Sequence, residues 1–334
     1  MNIFITGIAG FLGRHIAKKL VSNNHNVSGN DSLIGGDIQN IPVGCKFYEI
    51  NCSDFSQMSK ALKNIDIVYH CAATAHEGLS VFSPSFITRN IFEASVTTFS
   101  AAASNNVKKI IFCSSMARYG NQKTPFTEDM DPKPVDPYGV SKVAAEEVLK
   151  ILSTVHNFNY TIAVPHNIVG PYQKYDDPFR NVMSIMLNRL MQNKPAIIYG
   201  DGTQTRCFSY IDDCIQCLEK MAFDQSTNSE IINIGPDEET ITIKELADLC
   251  SNIVGTNIPH EYYSEGRPTE VKHATCSSNK ARKILNYKTS TGIKEAILNT
   301  YNFIKEKGPK EFKYNYDLEI INNKTPKTWT EKKI

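Results

Sequence analysis

Short, nearly continuous apolar runs alternate with longer amphipathic stretches along the first half of the chain. Ile67–Cys71 and Lys109–Cys113 are such runs, which are typical of strands buried on both faces of a parallel sheet. Strands that alternate with helices predict an α/β fold, a doubly wound parallel sheet with helices on both faces. The predicted strands lie at 2–6, 26–30, 46–50, 66–71, 108–114 and 159–164, and the predicted helices at about 11–22, 55–63, 85–105, 138–155, 179–192, 212–222, 243–253 and 293–306.

The regular alternation ends after about residue 165, where short elements are joined by polar loops. This change predicts two domains, with residues 1–165 forming the sheet and residues 166–306 forming a smaller domain that closes over it. We expect the segment around 207–235 to return to the first domain. Residues 307–334 are rich in lysine and contain Trp329, and we interpret them as a solvated surface strap without a function of its own.

The composition narrows the functional classes. Its 36 Lys and Arg residues nearly balance 35 Asp and Glu, so we expect neither a nucleic-acid partner nor a membrane surface. The first predicted strand starts next to Met1 and no apolar run has the length of a membrane span, so we expect no signal peptide. Nine cysteines without metal-like clustering, including Cys214 and Cys217 in a predicted helix, indicate buried reduced thiols, no metal site and a cytoplasmic protein.

Glycines spaced G-x-x-G-x-x-G follow the first predicted strand. Gly7 permits the tight turn, Gly10 lets a pyrophosphate approach the backbone, and Gly13 lets the next helix pack close to the sheet, with its N-terminus facing the phosphates. Asp31 ends the second predicted strand, where a carboxylate accepts hydrogen bonds from ribose hydroxyls and repels a 2′-phosphate. The pattern predicts a Rossmann-type domain that binds NAD in preference to NADP. A turn residue at the start of a loop is the alternative for Asp31.

Tyr138 and Lys142 lie four residues apart at the start of a predicted helix, after the N-cap and N1 pair Asp136-Pro137. Residues at i and i+4 share one face of a helix. An ammonium beside a phenol and the positive end of the helix dipole both lower the pKa of the phenol. Tyr138 is therefore predicted to be the general base for a hydroxyl group that is losing hydride. The spacing alone is common by chance, and the prediction depends on its combination with the glycine turn.

Further motifs follow one another in a consistent order. They are Thr6–Gly13, Asp66–Ala73, Asn90, Cys113–Gly120, Tyr138–Lys142, Asn167–Pro171, Tyr199–Arg206, Tyr210–Asp213 and Arg267-Pro268. In this order they resemble the extended short-chain dehydrogenase/reductases, in the branch of NAD-dependent nucleotide-sugar epimerases and dehydratases that includes UDP-galactose (UDP-glucose) 4-epimerase. The resemblance covers roughly residues 1–305. It implies NAD as cofactor, a nucleotide-diphosphate sugar as substrate and a smaller C-terminal domain that binds the substrate.

The resemblance also implies roles for individual residues. Ser115, Tyr138 and Lys142 would be catalytic, with Ser115 bound to the sugar hydroxyl and to Tyr138, and Lys142 also holding the nicotinamide ribose. The residues implied for the substrate are Ser115, Asn167, Asn181, Arg206 and Arg267, of which the two arginines would grip the diphosphate. The residues implied for the cofactor are Gly7, Ala9, Gly10, Phe11, Leu12, Gly13, Asp31, Ser32, Asn51, Cys52, Cys71, Ala72, Ala73, Asn90, Ser114, Tyr138 and Lys142.

Departures from the family pattern leave some roles open. Asn51 stands where the family usually has Asp, and Pro165-His166 stands where an aromatic pair is commoner. Met116 and Ala117 follow Ser115, where 4,6-dehydratases carry an Asp-Glu pair that eliminates water. The resemblance therefore implies that this chain lacks the acid and base needed for dehydration. It keeps the residues needed for hydride transfer.

Arg118, His76 and His166 each have two interpretations. Arg118 is predicted to bind a carboxylate or phosphate group of the substrate, or else to form a structural ion pair. The ion pair is the commoner role for an arginine in such a loop. His76 either approaches the sugar or is a loop histidine without a catalytic role, and His166 is open in the same way.

The motifs together predict an NAD-dependent nucleotide-sugar 4-epimerase. Alternatives on the same scaffold are a keto-sugar reductase, a 5-epimerase and a uronic acid decarboxylase, and an alternative of another class is a non-catalytic NAD-sensing protein. We also expect a homodimer, because the predicted helices at 85–105 and 138–155 carry apolar residues beyond one face. These residues are Ile91, Phe92, Val96, Phe99, Val143, Val148, Leu149 and Leu152.

Overall fold

A parallel sheet of seven strands forms the centre of the molecule, in a computed structural model that describes residues 1–264 and 267–334. The strands are β1 (Asn2–Thr6), β2 (Asn26–Asp31), β3 (Lys46–Glu49), β4 (Ile67–His70), β5 (Lys109–Cys113), β6 (Asn159–Pro165), β7 (Ile168–Val169), β8 (Ile197–Tyr199), β9 (Thr205–Arg206), β10 (Ser209–Tyr210), β11 (Glu230–Ile234), β12 (Ile241–Thr242), β13 (Glu261–Tyr263) and β14 (His273–Ala274). The sheet runs β3-β2-β1-β4-β5-β6-β11, and each neighbouring pair is parallel. The predicted doubly wound fold is confirmed, with β11 as a strand that was not among those predicted.

The eight predicted helices are present with small shifts at their ends. The helices of the structure are α1 (Phe11–Ser22), α2 (Phe55–Ala61), α3 (Glu77–Ser80), α4 (Pro84–Thr88), α5 (Ala94–Ser104), α6 (Pro137–His156), α7 (Val182–Met191), α8 (Ile211–Phe223), α9 (Ile243–Val254), α10 (Asn279–Leu285), α11 (Ile293–Lys307) and α12 (Lys327–Thr330). Of these, α3, α10 and α12 were not predicted. A π-helical turn, Arg89–Glu93, joins α4 to α5, so the helix predicted at 85–105 is continuous. No helix in the described ranges is long and apolar enough to span a membrane.

Helices cover both faces of the sheet because its strands are apolar on both sides. In β1, Ile3 and Ile5 belong to a core cluster shared with α1 and α8, whereas Phe4 belongs to a second cluster shared with α2, α5 and α6. Alternate residues of a strand point to opposite faces, so one apolar run supplies both cores.

The start of α6 follows from local sequence. The Asp136 side chain accepts the backbone N–H of Gly139 at 2.7 Å, and Pro137 occupies the first turn. This is the N-cap arrangement that the sequence predicted, and it leaves Tyr138 in the first turn. Asn157 ends the helix in the left-handed region, with φ of 54°.

Beyond residue 165 the chain forms short strand pairs and the packed helices α7, α9 and α11. Within this region β11 is the edge strand of the central sheet, paired with β6, and α8 packs against β5, β6 and α1. We keep the boundaries at residues 165 and 306, with the return around 207–235, as a proposal for the domain organisation.

The C-terminal residues 307–334 differ from the expectation. Trp329, Tyr316 and Ile334 are all buried, in a cluster that also contains Phe82 and Phe179. The interpretation as a solvated strap is therefore wrong. The lysines of this segment are charged, but the apolar residues between them pack into the molecule.

Candidate active site

One large cavity, of about 770 Å³, opens at the carboxyl ends of the central strands. The strand order reverses between β1 and β4, and ligands of open α/β sheets bind at such a switch point. One side of the cavity is formed by the loops that follow β1, β2, β4 and β5. The other side is formed by α7, β8, β9 and the C-terminal segment.

The glycine turn after β1 brings the backbone close to this cavity. Gly7 has φ of +71°, and a Cβ there would lie 2.9 Å from the Ala72 Cα, while a Cβ at Gly13 would lie 2.1 Å from the Gly7 carbonyl oxygen. Helix α1 starts at Gly10 without a side-chain cap, and its first turn contains no acidic residue. Its N-terminal N–H groups and dipole therefore suit an anionic group such as the diphosphate of NAD.

Asp31 lies at the end of β2, next to the glycine turn. Its carboxylate accepts the backbone N–H of Ala9 at 3.2 Å and that of Leu33 at 2.9 Å. Burial raises the pKa of Asp31, and these hydrogen bonds and Arg180 oppose the rise. Asp31 thus holds the loop, and it also lines the cavity where a ribose would be held.

The residues that the sequence assigned to cofactor and substrate surround this single cavity. All of them line it except Ala9, which lies behind its wall and contacts Asp31. Asn90 lines the cavity from the π-helical turn, and Asn51 and Cys52 line it after β3. Their individual roles stay predictions.

Ser115, Tyr138 and Lys142 all line the cavity. Burial raises the pKa of Tyr138 well above its usual range, and a hydrogen bond from Ser115 acts in the opposite direction. Glu77 and Asp136 add to the rise, because their negative charges oppose a phenolate. The expected lowering of the Tyr138 pKa is therefore absent from this structure, and desolvation is the reason.

Lys142 faces the cavity but its ammonium is held by the backbone. Its Nζ donates to the carbonyl oxygen of Cys113 at 2.7 Å, in a site that is only 2% exposed. Burial lowers the pKa of Lys142 to about 8. The sequence predicted that Lys142 faces the cavity, but it could not show that the Cys113 carbonyl oxygen binds the ammonium group.

Glu77 is a cavity residue that the sequence analysis did not single out. It begins the short helix α3, its side chain opens into the cavity, and the surrounding protein desolvates it and raises its pKa. Arg206 and Arg267 oppose that rise. Glu77 also lies near Asp136, and burial raises the pKa of Asp136 to about 7. Tyr138 therefore has two carboxyl groups near it, those of Glu77 and Asp136.

The two arginines predicted to hold a diphosphate lie side by side. Arg206 and Arg267 both contact the Glu270 carboxylate, at 3.4 and 2.7 Å. Arg267 also lies over the ring of Tyr199, 5.5 Å from its centroid. Glu77 is the second carboxyl group near the two guanidinium groups, whose planar forks suit the oxygens of a diphosphate.

The two predicted asparagines have structural partners at the cavity wall. The Asn167 amide donates to the carbonyl oxygen of Cys207 at 2.9 Å, and Asn181 caps α7 by accepting the Met183 N–H at 3.1 Å. Both side chains also line the cavity. Either amide has further hydrogen-bonding capacity for a ligand.

Arg118, His76 and His166 are each bound inside the protein. Arg118 forms a two-pronged ion pair with Glu146, at 3.2 and 3.0 Å, and is 2% exposed. His76 contacts Asp177 at 3.0 Å, and His166 contacts the carbonyl oxygen of Pro236 at 3.1 Å. These contacts agree with the structural interpretation of the three residues.

Among the described residues no group of three or more His, Cys, Asp and Glu side chains is placed to hold a metal ion. Cys214 and Cys217 are buried free thiols in α8. Burial raises the pKa values of both, to about 12 for Cys217, so neither has the character of a reactive thiolate.

The comparisons agree with this geometry. Residues 3–235 match the model of the NAD dependent epimerase/dehydratase family. A protein of Methanocaldococcus jannaschii described as a putative UDP-glucose 4-epimerase is 32% identical, over 91% of this chain and 98% of its own. The UDP-N-acetyl-alpha-D-glucosaminuronate decarboxylase of Bacillus cytotoxicus is 33% identical, over 73% and 77%.

Solved structures give the same result. The UDP-glucose 4-epimerase of Thermotoga maritima, in complex with UDP-glucose, superposes with a TM-score of 0.86 at 28% identity, covering 92% of this chain and 99% of that one. The residues matched by the family model include the glycine turn, the strands of the central sheet and the loop after β5 that carries Ser115. This chain is an NAD-dependent enzyme and belongs to the NAD-dependent epimerase/dehydratase family.

Proposed function

We propose that the enzyme is a 4-epimerase of UDP-hexoses that recycles NAD at each turnover. The observation that carries the proposal is the joint position of Ser115, Tyr138 and Lys142 in a cavity where Met116, an apolar residue, follows the serine. The relatives support UDP as the nucleotide, because three different UDP-sugar activities stand in their names.

The residues divide the work as follows. NAD, when bound, supplies the acceptor and donor of the hydrogen at C4, and the glycine turn with Asp31 would hold it. Tyr138 removes the proton of the C4 hydroxyl, and Ser115 orients both oxygens by hydrogen bonds. Lys142 stabilises the phenolate by its positive charge.

Inversion requires the 4-keto sugar to turn over while the rest of the substrate stays bound. Arg206 and Arg267 hold the diphosphate at one end of the cavity, which leaves the sugar as the part that moves. When the other face of the sugar is presented, Tyr138 returns the proton to the C4 oxygen. A cavity of about 770 Å³ is in the range of ligand sites of this size.

A labelling experiment tests the proposal. With UDP-glucose deuterated at C4, the hydrogen that leaves C4 returns to C4, so the label should survive in the UDP-galactose formed. In D₂O the product should gain no deuterium at C5. Loss of the C4 label or solvent deuterium at C5 would overturn the 4-epimerase assignment while leaving the cofactor site intact.

Glu77 favours one alternative, a 5-epimerase. Its carboxyl group lies in the cavity beside Tyr138, and its raised pKa suits a base that removes a proton acidified by a C4 ketone. In that case the product would gain solvent deuterium at C5, and Glu77→Gln would abolish the exchange. For a 4-epimerase, Glu77→Gln should retain turnover.

A further inference from the structure

Residues 308–334, which follow α11 and are called the C-terminal strap below, cross the cleft and contact both of its sides. On one side, Lys310 exchanges two hydrogen bonds with the side chain of Asn188 in α7, at 2.8 and 2.9 Å. On the sheet side, the Glu319 carboxylate accepts two backbone N–H groups at the start of α4, at 2.9 and 2.8 Å. The strap is thus bound by specific polar contacts on both sides of the cavity.

The end of the strap forms part of the cavity wall. Trp329 is 5% exposed and packs edge-on against Phe82 and Phe179, with ring centroids 5.7 and 5.1 Å apart. The hydroxyl of Thr328 bonds that of Tyr199 at 2.5 Å. Because Tyr199 is the last residue of β8 and lines the cavity, these contacts place the strap beside the cavity wall.

Trp329 lies next to the predicted diphosphate site. A Cβ built on Gly78 would lie 3.4 Å from Trp329 Cη2 and 3.7 Å from Arg267 Nη1. The indole and the guanidinium group therefore approach the same glycine, which has no side chain to separate them. If the diphosphate of a ligand binds Arg267, the part of the ligand next to the diphosphate lies near the indole ring.

The indole N–H of Trp329 has one acceptor within reach, the Tyr199 hydroxyl, and is poorly aligned with it. It is buried and makes no well-formed hydrogen bond to any described residue. Buried indole N–H groups usually have an acceptor, because leaving one unpaired is costly. An oxygen of a bound ligand would supply it.

We propose that the C-terminal strap closes the nucleotide end of the cavity and that Trp329 contacts the nucleoside of the substrate. The aromatic ring packs against the nucleoside, and the indole N–H donates to one of its oxygens. This inference rests on the proposed function for the kind of ligand. It assigns a binding role to a segment that the sequence indicated to be a surface strap.

Fluorescence gives a direct test, because Trp329 is the single tryptophan of the chain. UDP is titrated into the purified holoenzyme with selective excitation of the indole, and UDP binding is measured in parallel by calorimetry. A saturable change of emission with the calorimetric affinity is expected. The Tyr138→Phe variant allows the same titration with UDP-glucose without turnover.

Substitutions separate contact from proximity. Trp329→Phe keeps an aromatic ring but lacks the N–H, so UDP affinity should fall about threefold, and Trp329→Ala should lower it about tenfold. In the epimerase assay both should raise KM more than they lower kcat. Ile321→Ala, at an exposed position of the same strap, is the matched control and should change neither. Thermal unfolding establishes whether each variant is folded. If Trp329→Ala does not fold, the test depends on Trp329→Phe alone.

Three results would overturn the inference. UDP binding without an emission change, or an emission change with unaltered UDP affinity in both Trp329 variants, would remove Trp329 from the site while the proposed function stands. A calorimetric experiment that detects neither UDP nor UDP-glucose would overturn this inference and the UDP-hexose proposal together.

Discussion

Tyr138 lies among groups with opposing effects on its proton. Burial and the carboxylates of Glu77 and Asp136 favour the neutral phenol, whereas Ser115 and Arg180 favour the phenolate. In the proposed reaction Tyr138 must be a phenolate before it takes the proton of the C4 hydroxyl, and it then returns a proton to the C4 oxygen, so the groups that favour the phenolate matter for the first step. The arrangement suits a reaction that begins and ends with the same hydroxyl group.

The role of this phenol can be tested by Tyr138→Phe. The ring keeps its packing, so fold and bound NAD should be retained, and kcat should fall about a hundred- to ten-thousand-fold, the usual worth of general base catalysis. Tyr262→Phe, at an exposed position of β13, is the control and should be unaffected. Near-normal turnover of Tyr138→Phe in a coupled epimerase assay would exclude Tyr138 as the base.

The pKa of Lys142 predicts a limit to activity at alkaline pH. Because burial lowers this pKa to about 8, the ammonium is charged below that pH and loses its proton as the pH rises through it. The charge that stabilises the phenolate is lost in the same range, so kcat should decline above about pH 8. A profile of kcat against pH checks this, and activity that still rises well beyond pH 8 would contradict it.

Elements differ in how far the sequence predicted them. The turn after β1 and the start of α6 were predicted because both depend on neighbouring residues, Gly7 and Asp136 among them. Strand β11 was missed, although its three isoleucines, at 231, 232 and 234, were a usable signal. Glu77 was missed because its position beside Tyr138 depends on tertiary packing of α3 against α6.

The π-helical turn between α4 and α5 shows how an element departs from regularity at the cavity. Arg89–Glu93 forms an extra-wide turn in a helix that is otherwise regular, and Asn90 within it lines the cavity. Such turns inside α-helices are frequent at functional sites. The sequence predicted the helix and the place of Asn90, but it held no signal for the turn.

The ion pair of Arg118 links the loop after β5 to α6, and its removal should destabilise the fold. Arg118→Met leaves the Glu146 charge buried without its partner, so the free energy of unfolding should fall by about 3–5 kcal/mol. Lys108→Met breaks the exposed pair with Asp66 and should cost about 0–1 kcal/mol. Urea unfolding at saturating NAD measures the free energy of unfolding of both variants. Equal losses in Arg118→Met and Lys108→Met would contradict the role assigned to burial.

At the scale of the molecule, the C-terminal segment lines the cavity, although its composition gave no sign of this packing. Seven lysines among residues 307–334 suggested a solvated strap, yet Tyr316, Trp329 and Ile334 are buried. Their partners, such as Phe82 and Phe179, come from distant parts of the chain. Contacts of this kind leave no periodic pattern in a segment without regular structure, and only the folded molecule shows them.

The assembly is the remaining question at this scale, and we propose a homodimer through α5 and α6. The structure changes the residues that carry this prediction, because Ile91, Phe99 and Leu149 are in the core and unavailable. Their place is taken by α6 residues on its outer face. Val140, Ile151 and Val155 are 52%, 61% and 65% exposed.

These three residues recur at helical spacing along α6, beside the partly buried Phe92, Val96, Val143, Val148 and Leu152. An apolar stripe of this length facing water favours association about a two-fold axis, with two helices from each copy.

Light scattering at micromolar concentration should therefore give twice the mass of 37.4 kDa. Ile151→Glu with Val155→Glu should give a folded monomer, because burying two carboxylates at the interface is costly. Leu298→Glu, at an apolar position of α11 that is 45% exposed, is the control and should leave the dimer intact. A monomeric parent protein would refute the proposal.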